Sequence, residues 1–177
     1  MKKIFLLLIL SISIFHPAHL QAQGPLKPPA NEARIKWYTF EDAIRLNKKN
    51  PKKMVVDMYT EWCGWCKRMD AETFTNPTIV KYMNSHFYCV KFDAERKDTL
   101  VVDGVKYVNP NPKSNRSTHQ YAELLLRHQL SYPSYVFLNE HQQSVTVVPG
   151  YHQAKEFEVI LSWFGEDAYL TKKFDEY

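Results

Sequence analysis

Cys63 and Cys66, separated by Gly64 and Trp65, are the residues of this sequence whose types and spacing best suit covalent chemistry. They follow residues 53–60, whose β-branched and aromatic side chains predict a buried strand, and they open a segment predicted to be helical. A thiolate is the nucleophile in disulfide exchange, and the free N–H groups and dipole of a helix N-terminus stabilise it. We therefore expect Cys63 to be exposed, to have a lowered pKa and to attack disulfides, while Cys66, one turn into the helix, resolves the mixed disulfide. Gly64 is expected to let the chain turn tightly into the helix.

Two other uses of the cysteine pair remain open from the residues alone: a static disulfide, and half of a metal site. A four-cysteine zinc site is excluded because the chain has three cysteines. No histidine pair has the spacing of a Cys/His zinc site, since His119 and His128 lie nine positions apart. Cys89, in the middle of a predicted strand, is expected to be a buried small hydrophobic side chain rather than a third redox or metal-binding thiol. We therefore predict no metal, and no cofactor besides the Cys63–Cys66 pair itself.

The first 23 residues have the layout of a cleaved secretory signal peptide. Two lysines provide a positive start, a mostly apolar run covers residues 4–15, and small or polar residues lead to cleavage after Ala22 or Gln23. The apolar run is short for a membrane span, although an uncleaved N-terminal anchor remains the alternative. Residues 24–36, with three prolines, are predicted to form an extended leader. An exported chain with one Cys-x-x-Cys unit indicates redox work in the periplasm or cell envelope.

The remaining chain of about 154 residues is long enough for one domain with a sizeable core. Removing the signal lowers the formal net charge from +4 to +2, because 21 basic residues then face 19 acidic ones. Such a small surplus argues against nucleic acid or an anionic membrane surface as a partner, and no second apolar stretch is long enough to cross a bilayer. We expect a monomer.

The pattern of apolar residues predicts an α/β order in residues 37–166, the segment expected to form the domain. Strands that alternate with helices and end in a hairpin indicate a central mixed β-sheet covered by helices on both faces. Residues 96–118 interrupt this order as an insertion, in which Asp103-Gly104 is typical of a tight hairpin turn. A capping box at Ser117 predicts a helix of about three turns after the insertion, and residues 167–177 form a charged and aromatic tail. Further helices are predicted to begin near residues 39, 63, 76 and 151, and strands to occupy residues 53–60, 87–93, 134–138 and 144–148.

Residues 55–67, which read Val-Val-Asp-Met-Tyr-Thr-Glu-Trp-Cys-Gly-Trp-Cys-Lys, resemble the thioredoxin family. The continuation Glu72-Thr73-Phe74-Thr75-Asn76-Pro77, with Val80 and Phe92-Asp93 further on, is similar to one exported branch in particular. That branch is related to the electron-delivering C-terminal domain of the disulfide-reducing membrane transporter. The resemblance extends from about Trp37 to Trp163, apart from the insertion. It implies a thioredoxin-like fold, with the hairpin-containing insertion placed before a cis-proline segment.

The resemblance implies roles for residues outside the cysteine pair. Asp57 matches the buried acid that accepts or relays the proton of Cys66, and burial would raise its pKa; an exposed aspartate at a strand end is the alternative. Pro133 matches the cis-proline beside the active-site sulfurs, where the backbone of Tyr132 pairs with the substrate chain, whereas the residues alone favour a trans bond. Lys91 matches a family lysine near the buried acid, with a solvated strand lysine as the alternative.

Four residues around the cysteines complete the predicted site. Trp62, Gly64 and Trp65 are expected to contact substrate, with shielding of the inner cysteine as the alternative for Trp65, and Lys67 is expected to support the site. The family usually has Gly-Pro between the cysteines, and Gly64-Trp65 leaves the direction of the redox reaction open, since this dipeptide influences the reduction potential. No proline interrupts the helix after Lys67, so we expect it to be straighter than usual. The insertion is expected to be a surface loop, with a lip over the site as the alternative.

Taken together, these features predict an exported thiol–disulfide oxidoreductase that reduces disulfides of envelope proteins through the Cys63–Cys66 dithiol. Its expected partners are exported proteins with disulfides, and an electron donor in the membrane or envelope that regenerates the dithiol. Two alternatives remain. One is an oxidase or isomerase of the same fold, and the other is a non-enzymatic metal carrier or binding module that uses the same pair.

Overall fold

The computed structural model describes residues 34–177. The predicted signal peptide, residues 1–23, and residues 24–33 of the predicted leader lie outside this range. Within the described range, no helix has the length and apolar character needed to cross a membrane.

A five-stranded mixed sheet forms the centre of the structure, as the α/β pattern predicts. In spatial order the strands are β1, β3, β2, β6 and β7; β1 and β2 run parallel to β3, and β6 runs antiparallel to both β2 and β7. A separate hairpin, β4 with β5, lies in the insertion. The bounds of the strands are β1 Trp37–Tyr38, β2 Met54–Tyr59, β3 Tyr88–Asp93, β4 Leu100–Val102, β5 Val105–Tyr107, β6 Ser134–Leu138 and β7 Ser144–Pro149.

Helices cover both faces of the sheet and bury two apolar clusters against it. On one face Phe40 and Tyr121 pack with Val56, and on the other Ile79 and Phe157 pack with the neighbouring strand residue, Val55. Adjacent strand residues serve opposite clusters because side chains alternate across a strand. The bounds of the helices are α1 Phe40–Lys49, α2 Gly64–Arg68, α3 Pro77–His86, α4 Gln120–Leu125 and α5 Ala154–Gly165, and a π turn, Met69–Thr73, follows α2 directly.

Local sequence signals explain several of these boundaries. The Thr39 side chain accepts a hydrogen bond from the Asp42 N–H at the start of α1, and the Asn76 side chain accepts from the Thr78 N–H ahead of Pro77. In the insertion, Asp103 and Gly104 both have positive φ, at 49° and 82°, which is the conformation that a tight two-residue hairpin turn requires. The predicted hairpin is therefore present.

One element is missing from the sequence prediction, and one prediction is wrong. The sequence does not indicate the strand β1, because two residues are too few to show a period. The helix α4 has six residues instead of about three turns, and its N-cap is His119 instead of the predicted capping box. The imidazole Nδ1 of His119 accepts the Tyr121 N–H at 3.2 Å, which satisfies a donor that a serine or threonine would otherwise cap.

Both ends of the described range pack on the domain. Ile35, which belongs to the predicted leader, is buried in the apolar cluster that contains Ile79 and Phe157. The Asp167 carboxylate, at the start of the predicted tail, lies 2.6 Å from the ammonium of Lys53, a buried lysine directly before β2. The Trp163 indole donates to the Lys172 carbonyl at 3.0 Å. The folded unit thus continues on either side of residues 37–166.

We expect Phe157→Ala to lower the free energy of unfolding by about 3–5 kcal/mol, because Phe157 is fully buried and its ring contacts both Phe74 and Tyr135. Chemical denaturation would measure the loss. Val159→Ala on the same helix is the control, since Val159 is largely exposed and should change stability little. Equal losses for the two variants would show that Phe157 is not a central core residue.

Candidate active site

Cys63 and Cys66 form a disulfide at the junction between β2 and α2, with their Cα atoms 5.3 Å apart. The chain leaves β2 through a turn in which the Cys63 N–H donates to the Thr60 carbonyl at 3.1 Å. Cys63 then occupies the N-cap position of α2, where its sulfur accepts the Cys66 N–H at 3.0 Å. The pair therefore lies at a helix N-terminus, as predicted. A thiolate at Cys63 would face the free N–H groups of the first helical turn.

The expected exposure of Cys63 is wrong for the disulfide form. Cys63 is 4% exposed and Cys66 is 3% exposed, so the two are shielded almost equally. In this form the Cys63 sulfur is bonded to Cys66 and accepts the Cys66 N–H. Gly64 and Trp65, which follow Cys63, are exposed to solvent.

The expected reason for a glycine at position 64 is also wrong. The backbone of Gly64 does not have the positive φ that favours glycine, and a Cβ built there would meet no atom within 4 Å. The turn into α2 therefore does not require glycine. The predicted contact of Gly64 with a substrate chain stays a prediction.

Asp57 lies inside the protein, in the middle of β2 and between Lys91 on β3 and Tyr135 on β6. It is 2% exposed, and burial raises its pKa to about 6 although Lys91 opposes the shift. One carboxylate oxygen, Oδ2, lies 2.6 Å from the Lys91 ammonium, and the other, Oδ1, has no hydrogen-bond partner among the described residues. A carboxyl with this pKa exchanges a proton near neutral pH.

Of the two predicted lysines, Lys91 lies beside the buried acid and Lys67 does not. Besides its contact with Asp57, the Lys91 ammonium forms an ion pair with Asp70, in the π turn. Burial works to lower the pKa of Lys91, but its two carboxylate partners offset burial and raise it. Lys67 is exposed and forms no ion pair within residues 34–177.

An aromatic rim surrounds the cysteine pair. Trp62 and Trp65, on either side of Cys63, are 48% and 55% exposed. The Trp62 ring packs edge-on against Tyr132, and the Tyr132–Pro133 peptide bond is cis. A cavity of about 370 Å³ opens at this rim and is lined by Trp65, Tyr132, Pro133, Gly150 and Tyr151. The structure thus gathers the residues predicted to bind substrate, and their binding roles stay predictions.

Sequence reasoning missed two arginines that flank this rim. The guanidinium of Arg116, in the insertion, lies 4.8 Å from the centre of the Trp62 ring, and Glu95 accepts the Trp62 indole N–H at 3.0 Å. The guanidinium of Arg68 lies 5.5 Å from the centre of the Trp65 ring. The insertion therefore reaches the edge of the site. No local signal marks Arg116, whereas the spacing of Arg68 and Glu72, four residues apart, indicates an ion pair.

The expectation of a straight active-site helix is wrong. The α-helical hydrogen bonds end at Arg68, and the chain continues in the π turn, where the Phe74 N–H donates to the Met69 carbonyl at 2.9 Å. A π turn inserts one extra residue into a helical turn, and it redirects the residues that follow. Lack of proline therefore does not keep this helix regular.

The third cysteine and one histidine are buried. Cys89 is a free thiol, 1% exposed, and burial raises its pKa to about 12, so its expected status as a buried hydrophobic side chain is confirmed. His119 is fully buried in its capping position. Within residues 34–177, no group of three or more metal-ligating side chains is close enough to hold an ion.

Comparison with known proteins identifies relatives of this chain. Spermatogenesis-associated protein 20 of Mus musculus is 31% identical over 64 residues, which are 36% of this chain and 8% of the mouse protein. The chain therefore spans less than a tenth of the length of that relative. Among solved structures, DsbH oxidoreductase matches with a TM-score of 0.54 and 13% identity over 82% of this chain and 94% of its own. A thioredoxin from Thermus thermophilus matches with a TM-score of 0.52 and 17% identity over 72% of this chain and 85% of its own.

These structural likenesses confirm the predicted thioredoxin-like fold, a mixed central sheet flanked by helices. At the level of sequence, the profile of the family described as "Thioredox_DsbH: Protein of unknown function, DUF255" matches residues 20–161, which is most of the chain. The chain therefore belongs to the Thioredox_DsbH family.

Proposed function

We propose that this protein is an exported thiol–disulfide oxidoreductase that reduces disulfides of other exported proteins. The observation that carries the proposal is the Cys63–Cys66 disulfide at the N-terminus of α2, since this position stabilises a thiolate once the bond is reduced. The name of the solved DsbH oxidoreductase, which shares the fold, supports the same class of reaction.

The proposed reaction starts from the reduced pair. The Cys63 thiolate attacks one sulfur of a substrate disulfide, a Cys63–substrate disulfide forms, and the other substrate sulfur leaves as a thiolate that takes a proton from water. The Cys66 thiol then loses its proton and attacks the Cys63 sulfur, which releases the second substrate sulfur as a thiolate. Two electrons have passed to the substrate, and the Cys63–Cys66 disulfide of the present structure is the product state.

Asp57 is the proposed acceptor of the Cys66 proton. Its burial supports this role, because a pKa of about 6 lets the carboxylate accept a proton in one step and return it in the next near neutral pH. An ordinary exposed aspartate, with a pKa near 4, would be a much weaker base. Lys91 supports the site by holding the carboxylate in place at 2.6 Å.

The aromatic rim is the proposed docking surface for the substrate. Trp62 and Trp65 offer exposed aromatic rings on both sides of Cys63, and the backbone of Tyr132, ahead of Pro133 in the same cavity as Trp65, would pair with an extended substrate chain. Gly64 leaves room for that chain beside the sulfur.

The periplasm or cell envelope is the proposed location, which rests on the signal-like first 23 residues. There the Cys63–Cys66 disulfide would need an electron donor in the membrane or envelope to return to the dithiol. The similarity of residues 72–77 to the exported branch related to the transporter's C-terminal domain supports this arrangement. We propose a monomer with no nucleic-acid partner and no cofactor besides the cysteine pair.

A redox titration of the Cys63–Cys66 pair tests the direction of the reaction. We expect a reduction potential of about −270 mV, and reduction of insulin disulfides when a small dithiol supplies the electrons. A reduction potential of about −120 mV would contradict the proposed reductase and favour an oxidase. Efficient reshuffling of scrambled disulfides would favour an isomerase. Stoichiometric bound metal in the purified protein, together with no insulin reduction, would instead identify a metal carrier.

A further inference from the structure

Asp70 shares the lysine that faces the buried acid. It is the second residue of the π turn, and its carboxylate is about half exposed to solvent. It forms an ion pair with the Lys91 ammonium, which also lies 2.6 Å from Oδ2 of Asp57. One ammonium therefore joins an exposed carboxylate to a buried one.

Few other charges face Asp57. Lys91 reaches it from β3, Asp70 acts through Lys91 from the π turn, and Tyr135 approaches from β6 with a hydroxyl that has no hydrogen-bond partner among the described residues. Tyr59, on the same strand, is close enough for its ionisation to respond to Asp57. Lys91 is thus the one cation in this group, and two carboxylates compete for it.

We propose that Asp70 is a positioning residue for proton transfer at Asp57, because its carboxylate shares the Lys91 ammonium with the buried carboxylate. The inference deepens the proposed function and rests on it, since the proton concerned is the one that leaves Cys66. No sequence motif marks Asp70. Its contact with Lys91 depends on the π turn that follows α2.

The electrostatic argument concerns the balance of charge around Lys91. With Asp70 present, two negative charges share one positive charge, and Asp57 is incompletely neutralised. Without Asp70, Lys91 pairs with Asp57 alone, which favours the ionised form of the buried carboxyl. The negative charge of Asp70 also repels the charge of an ionised Asp57 directly, and this repulsion raises the pKa of Asp57 as well. Removing Asp70 therefore lowers the proton affinity of Asp57 by both routes.

The test compares Asp70→Asn with Glu72→Gln. Glu72 is an acidic residue of the same π turn, but its carboxylate contacts Arg68 and Tyr151 instead of Lys91. The rate of insulin-disulfide reduction would be followed across pH for both variants and for the parent protein. We expect Asp70→Asn to move the acid limb of the profile to lower pH by about half a unit or more, and Glu72→Gln to leave it in place. Asp70→Glu should restore the parent profile.

A second measurement does not depend on turnover. The carboxyl resonance of Asp57 in isotope-labelled protein reports its pKa directly, and Asp70→Asn should lower that pKa while Glu72→Gln should not. An unmoved resonance in Asp70→Asn, or equal shifts in the two variants, would overturn the inference. If the resonance moves but no variant and no parent protein reduces disulfides, the coupling of Asp70 to Asp57 stands and the proposed function fails.

Discussion

Replacing Cys66 with alanine should convert the protein into a trap that holds its substrates as mixed disulfides on Cys63. The reason is that Cys63 keeps its position at the N-terminus of α2 and attacks as before, while the sulfur that would release the substrate is gone. Cys63→Ala should instead lower disulfide reduction by several orders of magnitude and trap nothing, because the nucleophile itself is missing. Non-reducing gels and mass spectrometry of the trapped adducts would measure both outcomes.

Cys89→Ala is the matched control for these variants. Cys89 is buried and its pKa is raised to about 12, so its loss should neither create nor abolish trapping. Adducts that form on Cys89, or an equal yield of adducts from Cys63→Ala and Cys66→Ala, would contradict the assigned roles. Recovery of no adduct at all from Cys66→Ala would argue against turnover of protein disulfides.

The second large effect concerns Asp57 and the dependence of stability on pH. Its pKa is raised from 3.8 to about 6 in the folded protein, so the folded state binds more protons than the unfolded state between these values. The free energy of unfolding should therefore fall as pH rises from about 4 to about 6, by an amount on the order of 3 kcal/mol from this group. Asp57→Asn should remove this dependence and make the protein more stable than the parent at neutral pH, because it leaves no carboxylate to bury.

Chemical denaturation at a series of pH values would measure this effect. Asp175→Asn is the control, since Asp175 is exposed near the end of the chain and its replacement should leave the pH dependence of the parent intact. Lys91 keeps Asp70 as its partner in Asp57→Asn, so the variant does not strand a buried cation. A variant that is less stable than the parent at neutral pH would show that the ionised Asp57 stabilises the fold.

The cysteine pair and its setting could be predicted from the sequence because their signals are local. The β-branched run ahead of Cys63 and the spacing to Cys66 place the pair between a strand and a helix, and the structure has that arrangement. The mixed sheet was also predictable, since the longer helices carry an apolar period and the central strands are runs rich in β-branched and aromatic residues. The two residues of β1, Trp37 and Tyr38, carry no period and gain their pairing from β3.

Contacts between distant segments account for what the sequence could not predict. Arg116 meets Trp62 because the insertion folds back onto the rim, and the Asn109 side chain organises that loop by donating to the Ser117 carbonyl at 2.6 Å. Asp70 meets Lys91 because the π turn interrupts a segment whose composition is that of a regular helix. The low exposure of Cys63, at 4%, likewise depends on the folded surroundings and is not marked by a local sequence pattern.

The ion pair between Lys53 and Asp167 has a consequence for anyone who shortens this protein for crystallisation or display. A truncation after residue 166, the boundary that sequence reasoning gives, removes the carboxylate 2.6 Å from a buried ammonium. The Gly165 carbonyl and the more distant Glu140 would remain as its neighbours. The truncated protein would therefore lose the shortest of the three oxygen contacts of this ammonium, and we expect it to be less stable than the full chain. Residues beyond Gly165 therefore belong to the folding unit, because Asp167 pairs with the buried lysine directly before β2.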